Sequence, residues 1–445
     1  MNSALSPAQK PLFREALLFW LKLGWISFGG TAAHIAIMHD DLVVKKRWIS
    51  NGRFLHALGH CMILPGPEAQ QLAIYIGWKL HGKKGGLVAG TLFVLPSMLV
   101  LLALSIVYVK FGNLPWIGAM FGGLKPAVIA LILLALLRVA RRALHGVVHG
   151  IVAALVFISM FFFNVSLLVA MLGAVVLGLA LSIGRPQLLH VHSAAASEEE
   201  EEGYYISRNS PRSESKPAFS SVLKLIAVVS VLWLLPFPVF YYFGDDFGFW
   251  RALTFFFTKA AFVTIGGSYT VLPYVAQITV AKLHWLTKPQ MMDGFALAET
   301  TPGPLIIVVA FVGFMAAYNH FNGSLWMGTL GLVATTFYTF LPCFLFVFGG
   351  APLVERTQHK GKVEGILGLV TAVVVGAMLD LTLFLGKNVF FPSGTVAVRT
   401  LDIVSAGWVM LSLVLLKKFK LNVIYLILLS VAFGVVRYAI VSHLR

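Results

Sequence analysis

The sequence predicts an all-α, polytopic membrane protein of about thirteen spans. It predicts two homologous halves in inverted topology, built with discontinuous helices. Three observations carry this. The 445-residue chain is 58% hydrophobic and 12% charged, with a mean hydropathy of +0.86. Apolar runs of membrane-spanning length follow one another along most of the chain. Motifs of the first half recur in the second at one fixed offset.

Composition sets the class. Soluble domains are about 45–50% apolar and about 25% charged, so this chain has too little polar surface to cover a soluble fold. The same figures exclude a disordered chain, a collagen and a disulfide scaffold. Its two cysteines, Cys61 and Cys343, each lie within an apolar stretch. Lys and Arg number 34 against 18 Asp and Glu, a formal charge of +16. In a soluble protein that excess would suggest nucleic acid, which is not an expected partner here. Most basic residues lie between apolar runs, where they set topology and meet anionic lipid headgroups. A net positive field also raises the local concentration of anions. The first eleven residues are polar, and no signal peptide is expected ahead of the first span.

About 20 apolar residues cross the hydrocarbon core. Spans are expected near 13–38, 54–79, 86–110, 116–138, 143–163 and 165–183. A polar stretch over 184–221 carries Glu198 to Glu202, read as a solvated loop. Further spans follow near 222–243, 250–279, 290–318, 324–350, 363–386, 400–416 and 421–442. With the N-terminus inside, the inner loops hold Lys79, Lys83 and Lys84; Arg138, Arg141 and Arg142; Arg208, Arg212 and Lys216; Lys282 and Lys288; Arg356, Lys360 and Lys362; and Lys417, Lys418 and Lys420. The positive-inside rule therefore places the N-terminus in the cytoplasm and the C-terminus outside. One loop disagrees, because Lys45, Lys46, Arg47 and Arg53 fall outside. Either the first two spans do not cross simply, or that loop has another purpose.

The repeat is read directly. Phe28-Gly29-Gly30 recurs as Ile265-Gly266-Gly267, and Pro65-Gly66-Pro67 as Pro302-Gly303-Pro304, both displaced by 237. Phe19 and Phe256, Lys22 and Lys259, Ser27 and Thr264, and Trp48 and Trp285 keep the same displacement. Seven expected spans separate the starts of the two copies. An odd number makes the second copy enter from the opposite face, as in many secondary transporters. The expected division is 1–183 as the first repeat, 184–243 as a linker with the inverting span, and 244–445 as the second repeat.

Two prolines around a glycine cannot continue a regular helix. In lipid a broken helix is tolerated only inside protein or along a water-filled cavity. Pro65-Gly66-Pro67 and Thr301-Pro302-Gly303-Pro304 are therefore expected as mid-membrane breaks. Their half-helix N-termini offer unpaired N–H groups to an anion; a plain kink without a ligand is the alternative. Gly29-Gly30 and Gly266-Gly267 allow positive φ or close backbone approach, for a ligand or for tight helix packing. Ser27 and Thr264 offer hydroxyls, His34 an imidazole donor, and Gln70 and Gln71 neutral amides. Lys22 and Lys259 would pair with a dianion or snorkel to an interface. Glu68, Glu299 and Asp380 are candidate proton-coupling carboxylates, with an ion pair or helix cap as the alternative. No His/Cys metal cluster, phosphate loop or Ser-His-Asp pattern stands out, so neither a cofactor, a metal nor an enzyme is expected.

Phe19-x2-Lys22-Leu23-Gly24-x2-Ser27-Phe28-Gly29-Gly30, then Ala33-His34, Trp48 and Pro65-Gly66-Pro67-x3-Gln71, resemble the N-terminal half of the chromate ion transporter family. Gly77, Gly82 and Phe93-x2-Pro96-Ser97 continue the match. The copy from Ile265 through Pro304 is similar to the second domain of its long two-domain type. Thr31 stands where that family usually has Pro, and Glu68 follows the first Pro-Gly-Pro. The resemblance implies export of chromate, a tetrahedral dianion, from the cytoplasm across the inner membrane, conferring chromate resistance. It implies drive by the chemiosmotic gradient, with sulfate as a competing analogue. Transport or import of sulfate or another oxyanion, and a channel-like scaffold, remain open alternatives, as does a homodimer.

Overall fold

In the computed structural model, residues 10–28, 30–112, 114–184, 187, 203–207, 219–265, 270–350, 361–392, 395 and 397–443 are described. Their secondary structure is helical, with one isolated bridge between Ile49 and Ile206. Each of the thirteen apolar segments forms helix, but four of them do not cross.

The first segment is two helices, α1 (Phe13–Ile26) and α2 (Gly30–His39), the latter extended by a wider turn over Asp40–Lys45. At 1.5 Å per residue α1 spans about 21 Å, short of an apolar layer of about 30 Å. The chain doubles back between them. Lys46 Nζ lies 2.6 Å from Glu15 Oε1, and the Phe19 ring meets Trp48 at 5.6 Å. Both ends of this hairpin therefore share one face of the molecule, here the first face.

The second segment repeats the device. Helix α3 (Asn51–Cys61) stops at the Pro-Gly-Pro break, and the next helix returns. Glu68–Phe111 is not one rod, because His81 and Gly82 leave helical geometry, Gly82 with φ +64. It comprises α4 (68–80) and α5 (83–111), folded against one another. A Cβ on Gly77 would sit 2.6 Å from the Gly85 carbonyl oxygen, and one on Gly85 2.2 Å from that of Gly77. Only residues without side chains allow that backbone approach. At the turn His81 Nε2 is 2.9 Å from the Pro11 carbonyl oxygen, which returns α4 to the first face.

Helix α5 then crosses to the second face. Helices α6 (Pro115–Ala143), α7 (Val147–Phe163) and α8 (Leu167–Gly184) continue the alternation. The chain is back at the first face at 203–207, where Ile206 bonds the backbone of Trp48 and Ser50. Helices α9 (Phe219–Leu234) and α10 (Phe237–Phe243) form one further crossing, bent at Leu235–Pro236.

The second half starts from the opposite side. Helices α11 (Phe247–Val263) and α12 (Val271–Gln277, extended over Ile278–Lys282) mirror α1 and α2. Helix α13 (Lys288–Thr300), the break, and α14 (Val308–His320, after a single turn at Leu305–Ile307) mirror α3 and α4. Their open ends meet at the second face: His320 Nε2 is 2.9 Å from Asp246 Oδ2, and Asn319 donates to the Trp285 carbonyl at 2.8 Å. The bond to His320 and those to the Phe249 and Gly248 backbone hold the Asp246 carboxyl below its ordinary pKa. Helix α15 (Leu325–Leu345, extended to Gly350) packs on α14 as α5 packs on α4, with Gly313 against Gly331. Helices α16 (Gly361–Phe390), α17 (Ile403–Lys417) and α18 (Val423–His443) complete the chain.

Seven helices are long and apolar enough to cross, and the shorter α7 and α17 complete the alternation to nine crossings. Four re-entrant hairpins replace the expected spans 13–38, 54–79, 250–279 and 290–318. Two of these removed spans lie between the repeat starts, so the odd parity, and with it the inversion, survives. Two loop assignments change. Lys45, Lys46, Arg47 and Arg53 join the other basic loops on the first face, whereas Lys282 and Lys288 lie on the second.

A single cysteine introduced at Lys45 is expected to react with a membrane-impermeant maleimide from the same side as one at Lys84. Simple crossings would separate the two, so labelling from opposite sides in intact cells and inverted vesicles would contradict the hairpins.

Candidate functional site

The helices that begin at the two faces are commonly capped by side chains. Ser50, Asp246, Ser324 and Asp402 each accept a first-turn N–H, and Thr287 with Gln290 forms a capping box. Such caps satisfy donors that a helix start otherwise leaves orphaned. The starts at the hairpin tips have no such cap, as is also true of α1, α6 and α7 at the faces. Pro67 precedes α4 and Pro304 precedes the turn into α14, and neither provides a side-chain cap. Both helices therefore present uncapped positive ends in the middle of the protein.

The four tips converge there. The Gly66 N–H donates to the Thr264 carbonyl at 2.6 Å, and the Gly303 N–H donates to the Ser27 carbonyl at 2.5 Å. Each bond joins one half to the other, and each is the mate of the other at the 237-residue displacement. Gly66 at φ +118 and Gly303 at φ +102 occupy backbone conformations open to glycine and strained for other residues. Space is short as well. A Cβ at Gly66 would lie 2.7 Å from Gln71 Nε2 and 2.8 Å from Cys343 Sγ, and one at Gly303 1.7 Å from Ser97 Oγ.

Around these bonds the sequence-derived residues take definite places. Ser27 and Thr264 are fully buried, and each hydroxyl bonds the carbonyl four residues back, Leu23 at 2.6 Å and Ala260 at 2.8 Å. It is their main-chain carbonyls that join the halves. His34 is buried, with Nε2 3.0 Å from the Ser27 carbonyl oxygen and Nδ1 unpartnered. Gln71 donates to the Pro65 carbonyl, while its Oε1 has no partner. Gln70 donates to Gly90 at 3.3 Å. The Thr301 hydroxyl donates to Ala298 at 2.7 Å. Gly30 opens α2 at φ +78; Gly29, Gly266 and Gly267 lie outside the described residues, as does the glutamate run.

The charged candidates divide. Glu68 is buried at the first residue of α4, and Glu299 is half-buried just before the second break. Arg138 and Arg142 are both exposed in the last turns of α6, near the first face. Lys22 and Lys259 are both exposed. Lys22 lines a cleft of about 270 Å³ near the first face with Glu15, Asp41, Lys45 and Lys46, away from the tips. Asp380 accepts from Gln277 Nε2, on elements that lead to the second face.

Ser97, which the sequence offers only within Phe93-x2-Pro96-Ser97, has a buried hydroxyl without a partner that stands where a Cβ of Gly303 would. Among the described residues no group of His, Cys, Asp and Glu is placed to hold a metal.

Discontinuous hairpins from inverted halves, meeting through their backbone at mid-depth, are the architecture of a carrier. The chromate transporter family model matches residues 14–179 and 251–435, one region in each half, and the chain belongs to that family. A chromate transport protein of Pseudomonas aeruginosa is 32% identical over 96% of this chain and 93% of its own length. One from Cupriavidus metallidurans is 29% identical over 97% and 94%, and a probable chromate transport protein of Synechococcus elongatus 26% identical over 88% and 89%. No solved structure matches the chain.

Gly66→Ala and Gly303→Ala are each expected to destabilise the purified protein by about 1–3 kcal/mol, the cost of a strained backbone. Gly59→Ala is the control, since its Cβ would meet nothing within 4 Å. Thermal unfolding in detergent reads the difference, and equal stability of all three variants would contradict the tip geometry.

Proposed function

We propose that the chain is a secondary active transporter that exports chromate from the cytoplasm across the inner membrane. The observation that carries this reading is the pair of uncapped helix starts at α4 and α14, each beside a backbone bond that joins one half to the other. A tetrahedral dianion is large enough to accept from both ends at once, and the helix termini favour its charge. Ser97 adds a free hydroxyl beside Gly303, and His34 stands next to the Ser27 carbonyl. The guanidiniums of Arg138 and Arg142 supply positive charge between the first face and the breaks, where the field raises the local anion concentration. Lys22 belongs to the approach, in the basic cleft at the first face, and Lys259 to the exposed surface of α11.

The orientation follows from charge. With the loop 45–53 on the first face, Lys45, Lys46, Arg47, Arg53, Lys83, Lys84, Arg141 and Lys417 all gather there. The positive-inside rule then makes that face cytoplasmic and sets the C-terminus in the periplasm. Glu68 and Glu299 flank the two breaks. A carboxylate there would carry the proton that enters in exchange for the exported anion. Asp380, held by Gln277, is a structural acceptor in this scheme.

Inside-out vesicles holding the protein are expected to accumulate radiolabelled chromate, and to lose that accumulation when the proton gradient is collapsed. Excess sulfate should compete, since it shares the tetrahedral dianion shape. Absence of gradient-dependent chromate accumulation in vesicles that contain folded protein would overturn the export reading. Accumulation of sulfate without chromate would replace the substrate.

A further inference from the structure

An apolar cavity of about 710 Å³ lies between α5, α9 and α15, outside the central site. Helix α9 touches the bundle at two levels. Near the first face Leu225 rests 3.3 Å from where a Cβ of Gly349 would stand. Deeper, Trp233 donates through Nε1 to Thr258 Oγ1 at 2.9 Å, and its carbonyl accepts from the Tyr338 hydroxyl at 3.0 Å. Between these contacts the helix stands away from its neighbours, and Val94, Val228, Leu232 and Phe340 face the gap.

The cavity has the proportions of an acyl chain. Its wall on α5 runs from Lys83 to Met98, about 22 Å of helix at the usual rise. That exceeds half of a hydrocarbon core of about 30 Å. The polarity is one-sided. Lys83 and Lys224, with Ser221, stand where α5 and α9 leave the first face, and neither lysine closes an ion pair among the described residues.

We propose that this cavity is a binding site for an anionic phospholipid. One acyl chain lies along α5 between α9 and α15, and the phosphate sits between Lys83 and Lys224. Two fixed cations at the mouth of an apolar slot select a net negative headgroup, because a zwitterionic one brings its own ammonium to the same place. Basic pockets between spans on one side of a membrane bind acidic headgroups in this way. The lipid would brace α9, the crossing that inverts the second half. Gln70, buried three residues beyond Pro67 with its Oε1 unpartnered, forms part of the inner wall, so occupancy is felt next to the first break.

Native mass spectrometry of the purified protein tests this with phosphatidylglycerol and phosphatidylcholine of identical chains. Phosphatidylglycerol is expected to bind about 10-fold more tightly or better, the scale of two basic residues near an anionic headgroup. The double variant Lys83→Gln/Lys224→Gln should lower its affinity to that of phosphatidylcholine. Thr336→Trp, which fills the slot, should remove both adducts. If that variant does not fold, Val228→Trp on the lipid-exposed helix does the same work. Equal binding of the two lipids to the unaltered protein, or an undiminished preference in the lysine variant, overturns the proposal. So does absence of any lipid adduct, the result expected if a protein segment fills the slot.

Discussion

Four hairpins end in the middle of an apolar layer, and their main-chain groups must find partners there or remain orphaned at a cost of several kcal/mol each. The fold meets this constraint with two bonds that pass between the halves, Gly66 to Thr264 and Gly303 to Ser27. Both are backbone to backbone, so they hold the tips together without using a side chain. Both require positive φ at glycine, which explains why the sequence places Pro-Gly-Pro at these points. The prolines withdraw N–H groups that would otherwise need acceptors. What remains is a small set of first-turn N–H groups at α4 and α14 without side-chain caps.

Close glycine packing holds the returning arms against the crossings that follow them. Gly77 against Gly85, and Gly313 against Gly331, bring backbones into contact over a whole turn. That approach allows α4 and α14 to return beside α5 and α15 rather than cross. The turn between α1 and α2 puts the basic segment from Lys45 to Arg53 on the same face as Arg141 and Lys417, so one sign of charge dominates that face. Asp245 and Asp246 remain on the other. Charge asymmetry across the layer and the site at its centre are consequences of the same hairpins.

Much of this was legible in the sequence. Residue identities at a displacement of 237 revealed two halves, and the proline-flanked glycines revealed the breaks. The turning back was not legible, because hydropathy cannot distinguish a broken helix that continues from one that reverses; Lys46 against Glu15 decides it, and the two are 31 residues apart. The anomalous basic loop was the one sequence signal that the first two segments need not cross simply. The charged candidates were harder. Lys22 and Lys259 stood out as symmetry mates, yet both are exposed. Ser97 entered only as part of the Phe93-x2-Pro96-Ser97 motif, and its place beside Gly303, more than 200 residues away, was not legible.

The central claim is that backbone bonds at the tips join the halves. Hydrogen exchange of the purified protein, followed by mass spectrometry, tests it most directly. Gly303→Ala disturbs only the second half covalently, but it should speed exchange at the start of α2, next to the Ser27 carbonyl that accepts from Gly303. Exchange in α17 should stay unchanged. Unaltered exchange around residues 27–34 in a folded Gly303→Ala protein would contradict the account.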